Sequence, residues 1–179
     1  MRKQKRTPMV LFLKISGGEA LEEAAVAEGL DREDKIASGE VYNNLASAMM
    51  SDVENLLKIS GYSERAIEYY LTHLHVGNIK NPDAHAIYTG PCGDTMEIFL
   101  KISGVITDAR FQAIGCAGSF VSGSALCEII KGKTPEECKK LNENNLLDHL
   151  GALPEQKVHC ARLTVLTLKM ALDQYTNNL

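Results

Sequence analysis

Between Met96 and Ala113 the chain alternates apolar and polar residues on both sides of Ser103-Gly104, in the run MEIFLKISGVITDARFQA. Side chains of a strand point alternately to opposite faces, so a period of two predicts strands with one buried face. Met96, Ile98, Leu100 and Ile102 share one side of the first strand, and Glu97, Phe99 and Lys101 share the other. In the second strand Val105, Ala109, Phe111 and Ala113 share a side. Ser103-Gly104 suits a two-residue hairpin turn. With Ile102 opposite Val105, the register places Cys92 opposite Gly115 and Cys116 opposite Pro91. Neighbouring strands lie roughly 5 Å apart, so these two thiols converge at one end of the sheet.

The stretch before the hairpin, NPDAHAIYTGPCG, reads as a loop or edge strand ending in a turn. Helical signals flank this region. SERAIEYYLTHL carries Ser63 as N-cap and Ile67, Tyr70, Leu71 and Leu74 at helical spacing. SFVSGSALCEIIK stops at Gly132, and TPEECKK has Thr134 as N-cap, Pro135 in the first turn and Glu137 completing a capping box. NENNLLDHL ends at Gly151, and HCARLTVLTLKMALDQY is apolar nearly all round, as a buried helix is. The fold class expected is α+β, a small antiparallel sheet of about three strands packed against clustered helices.

Residues 1–49 form a separate expectation, an N-terminal extension, with the main domain over 50–179. The extension holds a short helical pattern, EALEEAAVAE, then a connection, EGLDREDKIASGE, and is expected to be partly disordered. Its basic cluster Arg2-Lys3-Lys5-Arg6 precedes MVLFLKI, which Lys14 interrupts and which no cleavage-like stretch follows. No run approaches the length of a membrane span, and the expected compartment is the cytoplasm. A net charge of −4 gives no reason to expect nucleic acid as a partner. LKISG occurs at 13–17, 57–61 and 100–104, but the flanks share no pattern, so the recurrence is read as coincidence rather than a repeat.

Five cysteines, an odd number without an export signal, argue against a disulfide framework and for metal or thiol chemistry. There is no CxxC pair, so any metal ligands must converge through the fold. Cys92 sits on a Gly-Pro turn (TGPCGDT) with Asp94 beside it, and Cys116 lies between glycine and a small residue. Glycines expose amides and let a bulky group approach the main chain. Cys160 follows His159, near Lys157, at the start of a helix. That setting predicts a favoured thiolate. Cys92, Cys116 and Cys160 with Asp94 and His159 make a candidate soft-metal site. Cys127 and Cys138 read as packing or surface residues, His73 and His75 as surface or capping residues, and His85 and His149 carry no motif.

Three chemistries fit this donor set: a labile metal or cluster site, a structural zinc site, and a thiol enzyme built on Cys160 and His159. The last is disfavoured because adjacent residues at a helix start rarely aim at each other and no third orienting group is evident. A sulfur acceptor that never builds clusters needs one cysteine and leaves Cys92 and Cys116 unexplained.

GPCGDTMEIFLKI, ITDARFQAIGCAGS, SALCEIIKGKTPEE and LPEQKVHCARL, in this order, resemble the IscU/NifU-type iron–sulfur cluster assembly scaffolds over about residues 60–175. The resemblance implies a SufE/NifU-like fold and a non-enzymatic scaffold for a transient [2Fe–2S] cluster. It implies Cys92, Cys116 and Cys160 as cluster ligands, Asp94 as the residue that keeps the cluster labile and His159 as an additional ligand. Lys157 is the accompanying basic residue. Cys160 is the implied persulfide acceptor. The implied partners are a cysteine desulfurase, an electron donor such as a ferredoxin, and apo iron–sulfur proteins. Iron is the metal, with Zn²⁺ in the cluster-free form and a monomer or homodimer as the assembly. Members served by an Hsp70-type chaperone carry Leu-Pro-Pro-Val-Lys; here Leu153–Lys157 reads LPEQK, so the resemblance does not extend to that partner.

Overall fold

The structure, a computed structural model, describes residues 32–177. They fall into two units that divide between Leu57 and Lys58. The helical pattern expected over 19–28 and the apolar run MVLFLKI lie outside the described residues. The first helix, α1 (Arg32–Ile59), is continuous across Met49 and Met50. It replaces the latter part of the connection expected from EGLDREDKIASGE. The lone Gly39 costs only about 1 kcal/mol within 28 residues.

The second unit holds the sheet. Helix α2 (Glu64–Thr72) starts where expected: the Ser63 hydroxyl accepts from the Ala66 amide at 3.1 Å. His73 then closes the helix in the left-handed conformation. Strands β1 (Ala84–Thr89), β2 (Thr95–Ser103) and β3 (Val105–Ile114) form an antiparallel sheet in the order β1-β2-β3. Helices α3 (Ala117–Ile130), α4 (Pro135–Lys139), α5 (Glu143–Leu150) and α6 (Val158–Asn177) follow. A 3-10 turn (Glu155–Lys157) leads into α6. The capping box of Thr134 and Glu137 forms as expected. Gly132 and Gly151, both at positive φ, follow the ends of α3 and α5.

The expected hairpin exists, but its register is shifted. Ile98 opposes Phe111 and Thr95 opposes Ile114, whereas a two-residue turn would set Ile98 opposite Ala109. Only Gly104, at φ +70, separates the paired residues Ser103 and Val105. Ile102 then pairs with Ile106 and Lys101 with Asp108, which leaves Thr107 as an extra, bulged residue. A bulge reverses the alternation. Ile106 therefore enters the core with Ala109 and Phe111, while Val105, expected on that face, is only half-buried.

The inner face of the sheet (Ala84, Ala86, Met96, Ile98, Leu100, Phe111) is covered by α6 and α3, which contribute Leu126, Ile130, Leu168 and Leu172. Each such side chain supplies about 1.5–3 kcal/mol of burial. Helix α3 runs close to β3: a Cβ at Gly123 would stand 2.5 Å from the Phe111 ring. Cys127 and Cys138 are core residues, as packing predicted. His75 is not a surface residue. It is buried and pairs through Nε2 with Glu128, fastening the α2–β1 connection to α3.

Candidate functional site

One turn and the starts of two helices bring the thiols together. Cys92 occupies the β1–β2 connection, closed by Gly90 N–H donating to Asp94 O at 2.9 Å and Gly93 N–H donating to Gly90 O at 3.0 Å. Gly93 has φ +87, a conformation that glycine adopts at little cost, and the turn leaves Cys92 exposed. Cys116 is the N-cap residue of α3, just beyond β3, and its sulfur makes no capping bond. His159 and Cys160 are the second and third residues of α6.

Asp94, immediately before β2, joins these pieces. Its Oδ2 accepts from the Ser119 hydroxyl at 2.7 Å and from the Cys116 amide at 3.3 Å. The ligand atoms of Cys92, Asp94 and His159 lie within 4.8 Å of one another, and so do those of Asp94, Cys116 and Cys160. Two triads thus share one carboxylate. Burial pushes the Asp94 carboxyl up, but the hydrogen bonds from Ser119 and Cys116 and the nearby His159 outweigh it. The net effect holds it below the usual carboxylate range. At neutral pH Asp94 is therefore ionised, with the Lys157 cation nearby.

The glycines beside the thiols are spatial requirements. A Cβ at Gly115 would lie 2.6 Å from Asp94 Cγ, and one at Gly118 would lie 3.0 Å from Cys160 Sγ. Both gaps are already filled by the site's own side chains.

Cys160 differs from its expectation. Its Sγ is buried, 3.6 Å from Cys116 Sγ, 3.5 Å from His159 Nε2 and 4.0 Å from Asp94 Oδ2. Burial pushes its thiol up to about 12, and the neighbouring Cys116 and Asp94 add to the rise despite the Ser119 hydroxyl. The helix start and Lys157 do not prevail, because desolvation of a thiolate outweighs them and Lys157 is engaged with Cys116. A thiol in this setting ionises when a metal cation takes the proton's place. The 3.5 Å approach also corrects the expectation that His159 and Cys160 turn away from each other. Among the described residues the imidazole makes no other side-chain hydrogen bond.

All six residues singled out in the sequence thus meet at one place. Sequence reasoning missed Ser119, whose signal was its spacing three residues after the N-cap cysteine, within the first turn of α3. It also missed Tyr62, a buried residue whose phenol is pushed up to about 12 by burial and by Cys116 and Cys160. Beside the thiols a cavity of about 510 Å³ is lined by Cys92 and His159 together with Tyr88, Pro91, Leu163 and Leu166. No helix among the described residues is long and apolar enough to cross a membrane.

A family model described as the NifU-like N terminal domain matches residues 61–179. The iron-sulfur cluster assembly scaffold protein IscU 1 of Archaeoglobus fulgidus is 35% identical over 116 residues, 64% of this chain and 76% of that protein. The scaffold protein IscU of Escherichia coli K12 is 32% identical over 120 residues, 64% of this chain and 93% of that protein. Among solved structures, the N-terminal part of a nitrogen-fixing NifU-like protein from Brucella abortus superposes with a TM-score of 0.55 at 22% identity. It covers 65% of this chain and 95% of that one, and it supports the α+β fold.

Proposed function

Because the chain belongs to the NifU-like N-terminal domain family, we propose that it is a scaffold on which a labile [2Fe–2S] cluster is built and from which the cluster passes to apo-proteins. The observation that carries this reading is the convergence of three thiols, one from a turn and two from the starts of helices, on one oriented carboxylate. Cys92, Cys116 and Cys160 are the sulfur ligands. Asp94 and His159 complete the coordination, and Lys157 is the accompanying basic residue beside the thiols. A carboxylate oxygen matches a soft iron–sulfide unit less well than thiolate does, so Asp94 favours release over storage.

Sulfur comes from a cysteine desulfurase. The Cys160 sulfur gives up its proton and attacks the terminal sulfur of the desulfurase persulfide; the S–S bond breaks, and the desulfurase sulfur leaves and takes up the proton as a thiol. Since Cys160 is buried, its acceptance of sulfur requires the start of α6 or the Cys92 turn to part first. An electron donor of the ferredoxin type supplies the reducing equivalents. The role is that of a non-enzymatic scaffold. With three sulfurs and one oxygen or nitrogen donor, the same residues suit tetrahedral Zn²⁺ in the cluster-free form. The scaffold domain is taken as residues 50–179 with 1–49 an extension. LPEQK leaves an Hsp70-type chaperone outside the proposal. A thiol-rich, labile site belongs in a reducing compartment, and we place the chain in the cytoplasm.

The test is anaerobic reconstitution of the apo-protein with Fe²⁺, cysteine, a reductant and a desulfurase, followed by an apo-ferredoxin. A [2Fe–2S] absorption spectrum that moves to the acceptor is expected. Persulfide without cluster would make the chain a sulfur carrier. Zinc that resists exchange, with neither signal, would make the site structural.

A further inference from the structure

Two of the five cysteines stand sulfur to sulfur. Cys116 Sγ and Cys160 Sγ are 3.6 Å apart, at the starts of two helices and 44 residues apart in the chain. Cys92 belongs to the other triad, with Asp94 and His159, and Cys127 and Cys138 are buried in the core. A disulfide needs about 2.05 Å between sulfurs, so this pair has to close by about 1.5 Å. The local build suits such a movement. Cys116 is an N-cap residue with extended backbone (φ −88, ψ 172), and its sulfur is not engaged in capping α3. Across from it, Gly118 has no side chain. A Cβ there would stand 3.0 Å from Cys160 Sγ, so the glycine is what lets the Cys160 sulfur lie against the first turn of α3, beside Cys116.

We propose that Cys116 and Cys160 form a reversible internal disulfide when the cluster-free protein meets a small-molecule disulfide such as oxidised glutathione. Cys116, half-buried, is the entry point, because Cys160 is buried. The Cys116 sulfur attacks one sulfur of the oxidant, a mixed disulfide forms, and one thiolate leaves. Cys160 then attacks the Cys116 sulfur and expels the second thiolate. The two protein thiols together give up two electrons and two protons, and the oxidant departs as two thiols. Cys92 has no such neighbour and ends as a simple mixed disulfide.

The functional consequence rests on the scaffold reading above. One bond withdraws two of the three cluster thiols, so an oxidised scaffold stays closed to iron and sulfide until a dithiol reductant reopens it.

The experiment uses the full chain, stripped of metal with a chelator and incubated anaerobically with oxidised glutathione. Free thiols are then alkylated and the digest is mapped by mass spectrometry. Expected are linked peptides containing Cys116 and Cys160, glutathione or alkyl on Cys92, and return of all five thiols with dithiothreitol. Cys92→Ser should leave the link undiminished, and Cys116→Ser should abolish it while circular dichroism stays unchanged. A link involving Cys92 would overturn the proposal. So would stable glutathione on Cys116 beside a free Cys160, or no thiol loss at either residue. Linkage in a protein that builds no cluster when reduced keeps the pair and removes the scaffold reading. Cluster assembly without linkage does the reverse.

Discussion

Ser119 donates its hydroxyl hydrogen to Asp94 Oδ2 at 2.7 Å, from the first turn of the helix that Cys116 caps. The carboxylate is thereby held across the β3–α3 junction, where the Cys116 amide adds a second, longer bond to the same oxygen. One oxygen is committed to positioning, and the carboxylate as a whole is within reach of both triads. The carboxylate is thus oriented before any metal arrives.

Ser119→Ala removes the shorter of these bonds. A hydrogen bond to a charged group contributes about 1–2 kcal/mol when partly exposed, so a loss of that order is expected in urea unfolding at pH 7. The sign with pH follows from the depressed Asp94 carboxyl. Its contribution is present above the ordinary carboxylate range and is lost as pH falls through the lower folded value. Wild type and variant should converge in stability at acid pH, and a difference that persists unchanged there would contradict this account.

Gly115→Ala and Gly123→Ala separate the site from the core. A methyl at 115 displaces Asp94, so zinc affinity should drop by about 10-fold or more while the fold survives. A methyl at 123 meets the buried Phe111 ring and should cost about 1–3 kcal/mol of stability while sparing metal affinity. Paired denaturation and zinc-competition titrations read both.

The cysteines should differ sharply in reactivity. Burial pushes the Cys138 thiol up to about 11 and that of Cys127 higher still. A thiol with that value is roughly 0.1% ionised at pH 8 even before access is considered. Timed alkylation of the native protein with iodoacetamide should label exposed Cys92 first, with Cys127 and Cys138 labelled only in denaturant.

His149 should make stability fall in mild acid. Burial and the Arg65 charge lower its pKa, and its Nε2 lies 2.8 Å from the Tyr69 hydroxyl. The unfolded chain then binds the proton more readily, so stability is full above the ordinary histidine value and declines as pH drops from about 6.5 toward the lower folded value. Thermal melts from pH 7 to pH 5 should show the decline, and His149→Asn should flatten it.

Much of this architecture was legible in local pattern. Alternation from Met96 to Ala113 gave the two strands, and Ser63, Thr134 and Gly132 marked helix ends that the fold respects. The six candidate residues could be singled out because turn glycines and His-Cys adjacency are local signals. The register was not legible, since it depends on a one-residue turn at Gly104 and on a bulge at Thr107, neither of which the alternation signals. His75 was misread because its partner, Glu128, lies 53 residues away.

The pentapeptide LKISG marks the division between the two kinds of information. At 57–61 its Leu-Lys-Ile ends helix α1, and at 100–104 the same letters finish strand β2 and make its turn. By itself the sequence determined which residues prefer faces, caps and turns, because those preferences act over one turn of helix or one pleat of strand. Tertiary structure alone decided the contact of Cys116 with Cys160, the neutral state of the Cys160 thiol and the grip of Ser119 on Asp94. Each of these depends on desolvation and on approach between distant segments, and both arise only when the helices close over the sheet.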